Sequence, residues 1–240
     1  GPVIKEGLYE FNDFHDQIFE FTLFHCSEKN EMISLDEYIS DFSNEKKKIY
    51  YISGENKENL INSPQMELFK NKNINVLLII DPVDEFWMPM KMKFKEYEFT
   101  SITKGEVDIE EKSDKSEDIK EPKENLDFVA YLKDLLKDKV KDVKVSKRLT
   151  TSASCLVADE NDMDMHLKKL MAANNQNISD EKRILEININ HTLVSKVKSL
   201  EKSQKDKFSE ILYDHAKLME GENLDDPKKY TNLIAELVSL

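Results

Sequence analysis

Apolar residues recur along this chain with two periods, and the alternation between them lays out an order of elements. From Tyr9 to Phe24 they fall at Phe11, Phe14, Ile18 and Phe21, a spacing that predicts an opening helix rich in phenylalanine. Ser34 precedes Leu35, Tyr38, Ile39 and Phe42 and is followed three residues on by Glu37, so SLDEYISDF reads as a helix opened by a capping box. KKIYYIS (47–53) has the composition of a strand, and Gly54 ends it before a helical pattern from about Lys57 to Lys70 carrying Leu60, Ile61, Met66, Leu68 and Phe69. INVLLII (74–80) is the apolar run of a strand buried on both faces, as in a parallel sheet. DPVDEF then turns the chain, Asp84 to Met92 reads as helical, and EFTSIT (98–103) supplies a third strand. This order predicts a small parallel α/β layer with right-handed crossovers.

Residues 104–125 alternate charges densely and hold almost nothing to bury, the pattern of a hinge or linker. Beyond it, LDFVAYLKDLLKD (126–138) predicts a helix, and strands are expected within KVKDVKVSKRL (139–149), at SCLVA (154–158) and at RILEIN (183–188). Three helical stretches follow at 191–201, 203–221 and 226–240. Phe208, Ile211, Leu212, His215, Leu218 and Met219 share one face of the second; Tyr230, Leu233, Ile234, Leu237 and Val238 share one face of the third. Gly221 is placed as a helix stop, and Asp226 before Pro227 as a helix start. Two such helices at a chain end, with little inside the chain to cover them, predict a second copy and a four-helix bundle about a two-fold axis. The fold class expected is α/β in the first half and α+β in the second, ending in that helix pair.

Between the last two predicted strands lies DENDMDMHLKKLMAANNQ (159–176). On a helix, Met163, Leu167, Leu170 and Met171 form one stripe, with Asp162, Asp164, Lys168 and Lys169 elsewhere. A stripe with two methionines and no aromatic or β-branched residue is either an ordinary core face or an adaptable surface for many partners.

Composition narrows the chemistry. The chain of 240 residues can hold two modest domains, and its net charge of -13 opposes a nucleic-acid backbone or an anionic membrane as the main partner. Cys26 and Cys155 are widely separated, with no second ligand at metal-binding spacing, which suits a reducing compartment and no metal site. Glycines at 1, 7, 54, 105 and 221 form neither a P-loop nor a dinucleotide-binding turn. Asp81, Asp84 and Glu85 follow a buried strand, where α/β sheets often keep functional groups, so a small enzyme or metabolite-binding protein is one reading of DPVDE. A helix start with acids in its first turn is the other. His25 and Cys26, adjacent on a predicted helix, point apart, and His166, His191 and His215 have no partner at ligand spacing. No catalytic set emerges.

Several segments together resemble the ninety-kilodalton heat-shock protein (heat shock protein 90) chaperones of bacterial and organellar type. They are GPVIKEGLYE (1–10), SLDEYI (34–39), KIYYISGENKENLINSPQMELF (48–69), VLLIIDPVDEF (76–86), VSKRLT (145–150), LEININH (185–191) and the closing DDPKKYTNLIAELVSL. The family forms are similar to SLxEY, IYYxxGES, SPxLE, VLxxxDPxDE, VSxRL and LEINPxH in the same order; Ile189 stands where LEINP has proline, and Ala153 replaces another expected proline. The resemblance implies that 1–110 form the C-terminal α/β part of a middle domain, 111–123 a linker and 124–240 the C-terminal dimerisation domain of an ATP-driven homodimer. It implies a fragment with no cofactor of its own, ATP and Mg belonging to the full-length parent. The partners implied are a second copy and non-native client proteins, with no nucleic acid and no membrane. The compartment implied is a bacterial cytoplasm, a mitochondrion or a plastid, because the chain ends at SL without an acidic EEVD-type tail. Met163, Leu167, Leu170 and Met171 match a helix of the bacterial relatives that contacts clients. Ile211, Leu212, His215, Leu218, Met219, Tyr230, Leu233, Ile234, Leu237 and Val238 are the expected dimer contacts.

Overall fold

A computed structural model describes residues 2–10, 14–42, 46–106, 109, 121–160, 162–163, 166–168, 171 and 182–240. The chain forms two compact units, one of Gly1–Thr103 with Met163–Ile178, the other of Lys104–Asp162 with Ser179–Leu240.

In the first unit a six-stranded sheet has the order β2-β1-β4-β3-β6-β5, with β1 Leu23–Cys26, β2 Ile33–Ser34, β3 Lys48–Ser53, β4 Leu77–Ile79, β5 Lys93–Phe94 and β6 Tyr97–Ser101. The three strands expected from the sequence form its centre: β3 runs parallel to β4 with Tyr51 opposite Leu77, and parallel to β6 with Ile49 opposite Phe99. The sheet is mixed rather than wholly parallel, because β1 and β5 add antiparallel edges and β2 pairs antiparallel with β1. β1 occupies the end of the stretch that the periodicity assigned to a helix. Helix α2 (His15–Phe21) stops where Thr22 turns extended and its hydroxyl donates to Phe19 O at 3.0 Å. The next four residues alternate, with Phe24 and Cys26 buried and Leu23 exposed, so His25 and Cys26 point to opposite faces of a strand. Ahead of α2 lies the single turn α1 (Pro2–Glu6).

Helix α3 (Leu35–Asp41) starts as the sequence predicts, with the Ser34 hydroxyl accepting from Glu37 N. Its Tyr38 hydroxyl donates to Asn75 O at 2.7 Å and accepts from Tyr50 N at 3.1 Å, and burial pushes the phenol far above its ordinary range. The single helix expected over 57–70 is broken into α4 (Lys57–Ile61), a 3-10 turn Pro64–Met66 and α5 (Glu67–Asn71). The cause is Pro64: the residue before it, Ser63, is extended, and its hydroxyl takes Gln65 N. Likewise 84–92 resolves into α6 (Asp84–Trp87) and a 3-10 turn Met88–Met90 that ends at Lys91 with a φ of 51°. An aromatic cluster fills the core, with Phe19 edge-on to Trp87 at 5.3 Å and Trp87 edge-on to Phe99 at 5.2 Å.

In the second unit the strands are β7 Asp142–Val145, β8 Ser154–Val157 and β9 Ile184–Ile187, in the order β7-β9-β8, β9 being parallel to β7 and antiparallel to β8. Among the described residues four helices accompany them: α7 (Lys123–Leu135), which starts three residues before the expected Leu126, α8 (Thr192–Ser199), α9 (Lys202–Met219) and α10 (Pro227–Val238). The Ser154 hydroxyl donates to Leu212 O at 2.6 Å and ties β8 to α9. Phe128, Leu132, Val143, Leu156, Leu185, Val194, Phe208 and Ile211 meet in one core.

Candidate interaction sites

His166, Leu167, Lys168 and Met171 are helical, and Met163, Leu167 and Met171 are half-buried; Leu170 lies outside the described residues. Met163–Ile178 groups with Gly1–Thr103 in the first unit. One polar contact within that unit is well defined: the His166 imidazole donates from Nδ1 to Glu85 Oε1 at 2.6 Å, and Glu85 is only 3% exposed.

The DPVDE carboxylates are more buried than a helix-start reading requires. Lys5 Nζ donates to Asp84 Oδ2 at 2.7 Å and to Asp81 Oδ2 at 2.9 Å, while Trp87 Nε1 donates to Asp84 Oδ1 at 2.8 Å. Burial pushes the Asp84 carboxyl up, against the pull of Lys5 and the indole N–H. Asp84 and Glu85 do stand in the first turn of α6, but both are buried and paired. All three acids are engaged in fixing α1, α6 and the helical residues around His166. A ligand or catalytic role would first have to break buried ion pairs, so the metabolite-site reading loses the groups it needs.

The terminal helices do find partners within the chain. Ile211 and Leu212 are fully buried, and Leu233 and Leu237 are 4% and 6% exposed in the same core. The expectation that both apolar faces lack internal cover is corrected, because α9 lies on β8 and its far flank receives α10. His215, Tyr230 and Ile234 are half-buried, and Leu218, Met219 and Val238 are exposed. Pairs Lys207–Glu236 and Lys229–Glu210 join α9 to α10. Burial, helped by His191, pushes the His215 imidazole below its ordinary value. His191 itself caps α8, its Nδ1 accepting from Leu193 N at 3.1 Å.

Sequence reasoning missed why VSKRLT and LEIN belong together. Arg148, 1% exposed, donates from Nε to Glu186 Oε2 and from Nη2 to Glu186 Oε1, both at 3.0 Å. The Ser146 hydroxyl donates to Glu186 Oε2 at 2.7 Å and accepts from Arg148 N and Leu149 N. Arg148 Nη2 also reaches Gly105 O at 2.5 Å, where a φ of 54° favours glycine. The two departures from the family pattern are absorbed locally: Ile189 packs on the core, and Ala153 O accepts from Asn188 N at 2.9 Å.

The family described as Hsp90 protein matches residues 1–240. Proteins named Chaperone protein HtpG are 38% identical in Bdellovibrio bacteriovorus, 36% in Clostridium botulinum (strain Loch Maree / Type A3) and 34% in Rickettsia canadensis. Each similarity covers 99% of this chain and 39% or 40% of the relative, so the chain spans about two fifths of their length.

Proposed function

Because the chain belongs to the Hsp90 protein family, we propose that it is the dimerisation and client-contact portion of an ATP-dependent chaperone that assists protein folding. The observation that carries the client reading is the partial exposure of Met163, Leu167 and Met171 on a stripe without aromatic or β-branched residues. Unbranched, polarisable side chains repack against unrelated apolar surfaces at little cost, which suits weak contact with partly unfolded chains. Nucleotide chemistry, with ATP and Mg, is assigned to the part of the relatives' length that this chain does not span. Two free, buried thiols, Cys26 and Cys155, suit a reducing compartment such as a bacterial cytoplasm, a mitochondrion or a plastid.

A second copy would cover what α9 and α10 leave exposed, Leu218, Met219 and Val238, together with half-buried His215, Tyr230 and Ile234. Ile211, Leu212, Leu233 and Leu237 are buried in the core of the same unit. Sedimentation of the chain at micromolar concentration is the direct test. A dimer that Val238→Glu with Met219→Glu converts to a folded monomer supports the reading, and a monomeric wild type overturns the dimer. For clients, Met163→Ser with Met171→Ser should weaken association with an unfolded chain without lowering thermal stability; a large stability loss would mean that the stripe is core.

A further inference from the structure

Glu124, Asp127, Phe128 and Tyr131 recur along α7 at helical intervals and share one face of it. That face and the corner between α8 and α9 enclose a pocket of about 460 Å³, a size that holds a small organic molecule. Two ties bound it lengthwise. At one end Lys198 Nζ donates to Asn125 Oδ1 at 2.6 Å and pairs with Glu124 at 2.9 Å; at the other the Tyr131 hydroxyl donates to Asp206. A slot tied at both ends favours a compact molecule over an extended chain. Its apolar lining is mainly aromatic: the rings of Phe128 and Tyr131 stack at 6.4 Å with 18° between their planes. Four charges of the lining are left over once the ties are made. Asp127, Glu201 and Lys202 are exposed and enter no ion pair among the described residues, and the Lys205 ammonium, 5.8 Å from the centre of the Tyr131 ring, meets no carboxylate there. Two acids and two cations around an aromatic surface match a ligand that carries one charge of each sign on a flat apolar body.

We propose that this pocket is a binding site for a small aromatic zwitterion, of the chemical class of the free aromatic amino acids. The ligand's ring packs on Tyr131 and Phe128, its carboxylate is taken by Lys202 and Lys205, and its ammonium by Asp127 and Glu201. A wholly anionic ligand would meet the two acids with like charge, and a wholly cationic one the two lysines. Because these charged groups are solvated, binding is weak, with a Kd on the order of 1 mM. Among the described residues, none of the client stripe or of α10 lines the pocket, so the site stands apart from the client and dimer readings.

Saturation-transfer difference NMR on the full 240-residue chain, with L-phenylalanine as the probe up to about 10 mM, tests the site. The ring protons of L-phenylalanine should receive saturation that levels off with concentration. Lys202→Glu and Asp127→Lys change exposed positions outside any ion pair, so both variants should keep the parent's far-UV circular dichroism. Each turns an attraction into a repulsion and should weaken binding about tenfold. Two analogues test the ligand class: 3-phenylpropionate lacks the ammonium and 2-phenylethylamine lacks the carboxylate, and both should bind about fivefold more weakly than L-phenylalanine. No saturable binding, or a wild-type affinity in either folded variant, overturns the site. An analogue that binds as tightly as L-phenylalanine overturns the zwitterionic ligand.

Discussion

Arg148 and Glu186 meet as two planar groups, joined by parallel hydrogen bonds of 3.0 Å and almost wholly out of water. The pair spans the turn after β7 and the middle of β9, so it sets how the ends of the three-stranded sheet are tied. Removing one member strands the other charge inside the unit. Arg148→Ala should therefore cost about 3–5 kcal/mol. Arg148→Lys should recover only part of this, because an ammonium cannot reproduce the fork. Urea unfolding followed by far-UV circular dichroism is the suitable measurement, since the single tryptophan, Trp87, lies in the first unit.

That tryptophan serves a second prediction. Lys5, 2% exposed, is the cation for Asp84, whose other oxygen accepts the Trp87 indole N–H. Lys5→Ala leaves a buried carboxylate with its indole partner alone and should cost about 3 kcal/mol. The loss should appear as an earlier transition in Trp87 emission and as a changed native emission maximum, because the charge beside the indole is no longer balanced.

His215 predicts a pH dependence with a defined sign. Its imidazole is held below the ordinary value of 6.5, first by burial and then by His191. On acidification the unfolded chain takes up the proton before the folded one does. The associated stability is complete above about pH 6.5 and is lost as pH falls through the depressed folded value. Between pH 7 and 5 the urea midpoint of the second unit should fall more steeply in the wild type than in His215→Gln; parallel curves would contradict this.

Neighbouring positions on α10 should behave in opposite ways. Leu237, 6% exposed, belongs to the core, and Leu237→Ala should cost about 2–5 kcal/mol of folding stability. Val238, 82% exposed, should tolerate alanine within about 0.5 kcal/mol when folding is measured on the monomer. If it lies under a second copy, its effect will appear in the dissociation constant by sedimentation, not in the unfolding midpoint.

Local patterns made much of the fold legible. Ser34 with Glu37 marked the start of α3, the VLLII run marked the buried centre of the sheet, and Asp226 before Pro227 marked the start of α10. Pro64 was a visible break that helical periodicity over 57–70 overrode, though its effect on Ser63 is purely local. The Tyr9–Phe24 stretch was harder. Short apolar runs satisfy helix and strand templates alike, and for Leu23–Cys26 the choice was made by pairing with β4, about fifty residues away.

The candidate sites divide the same way. The sequence by itself determined which residues are apolar, which helices are amphipathic and which family pattern the segments follow, because these depend on residue type and spacing. Only the tertiary structure decided that Leu233 and Leu237 are buried in the core of their own unit while Val238 is exposed. It also decided that Asp84 is used up by Lys5, and that Glu85 meets His166. A helix face is defined by its period, but what covers it, and which buried charge finds which partner, depends on contacts between distant parts of the chain, whose closure no local pattern encodes.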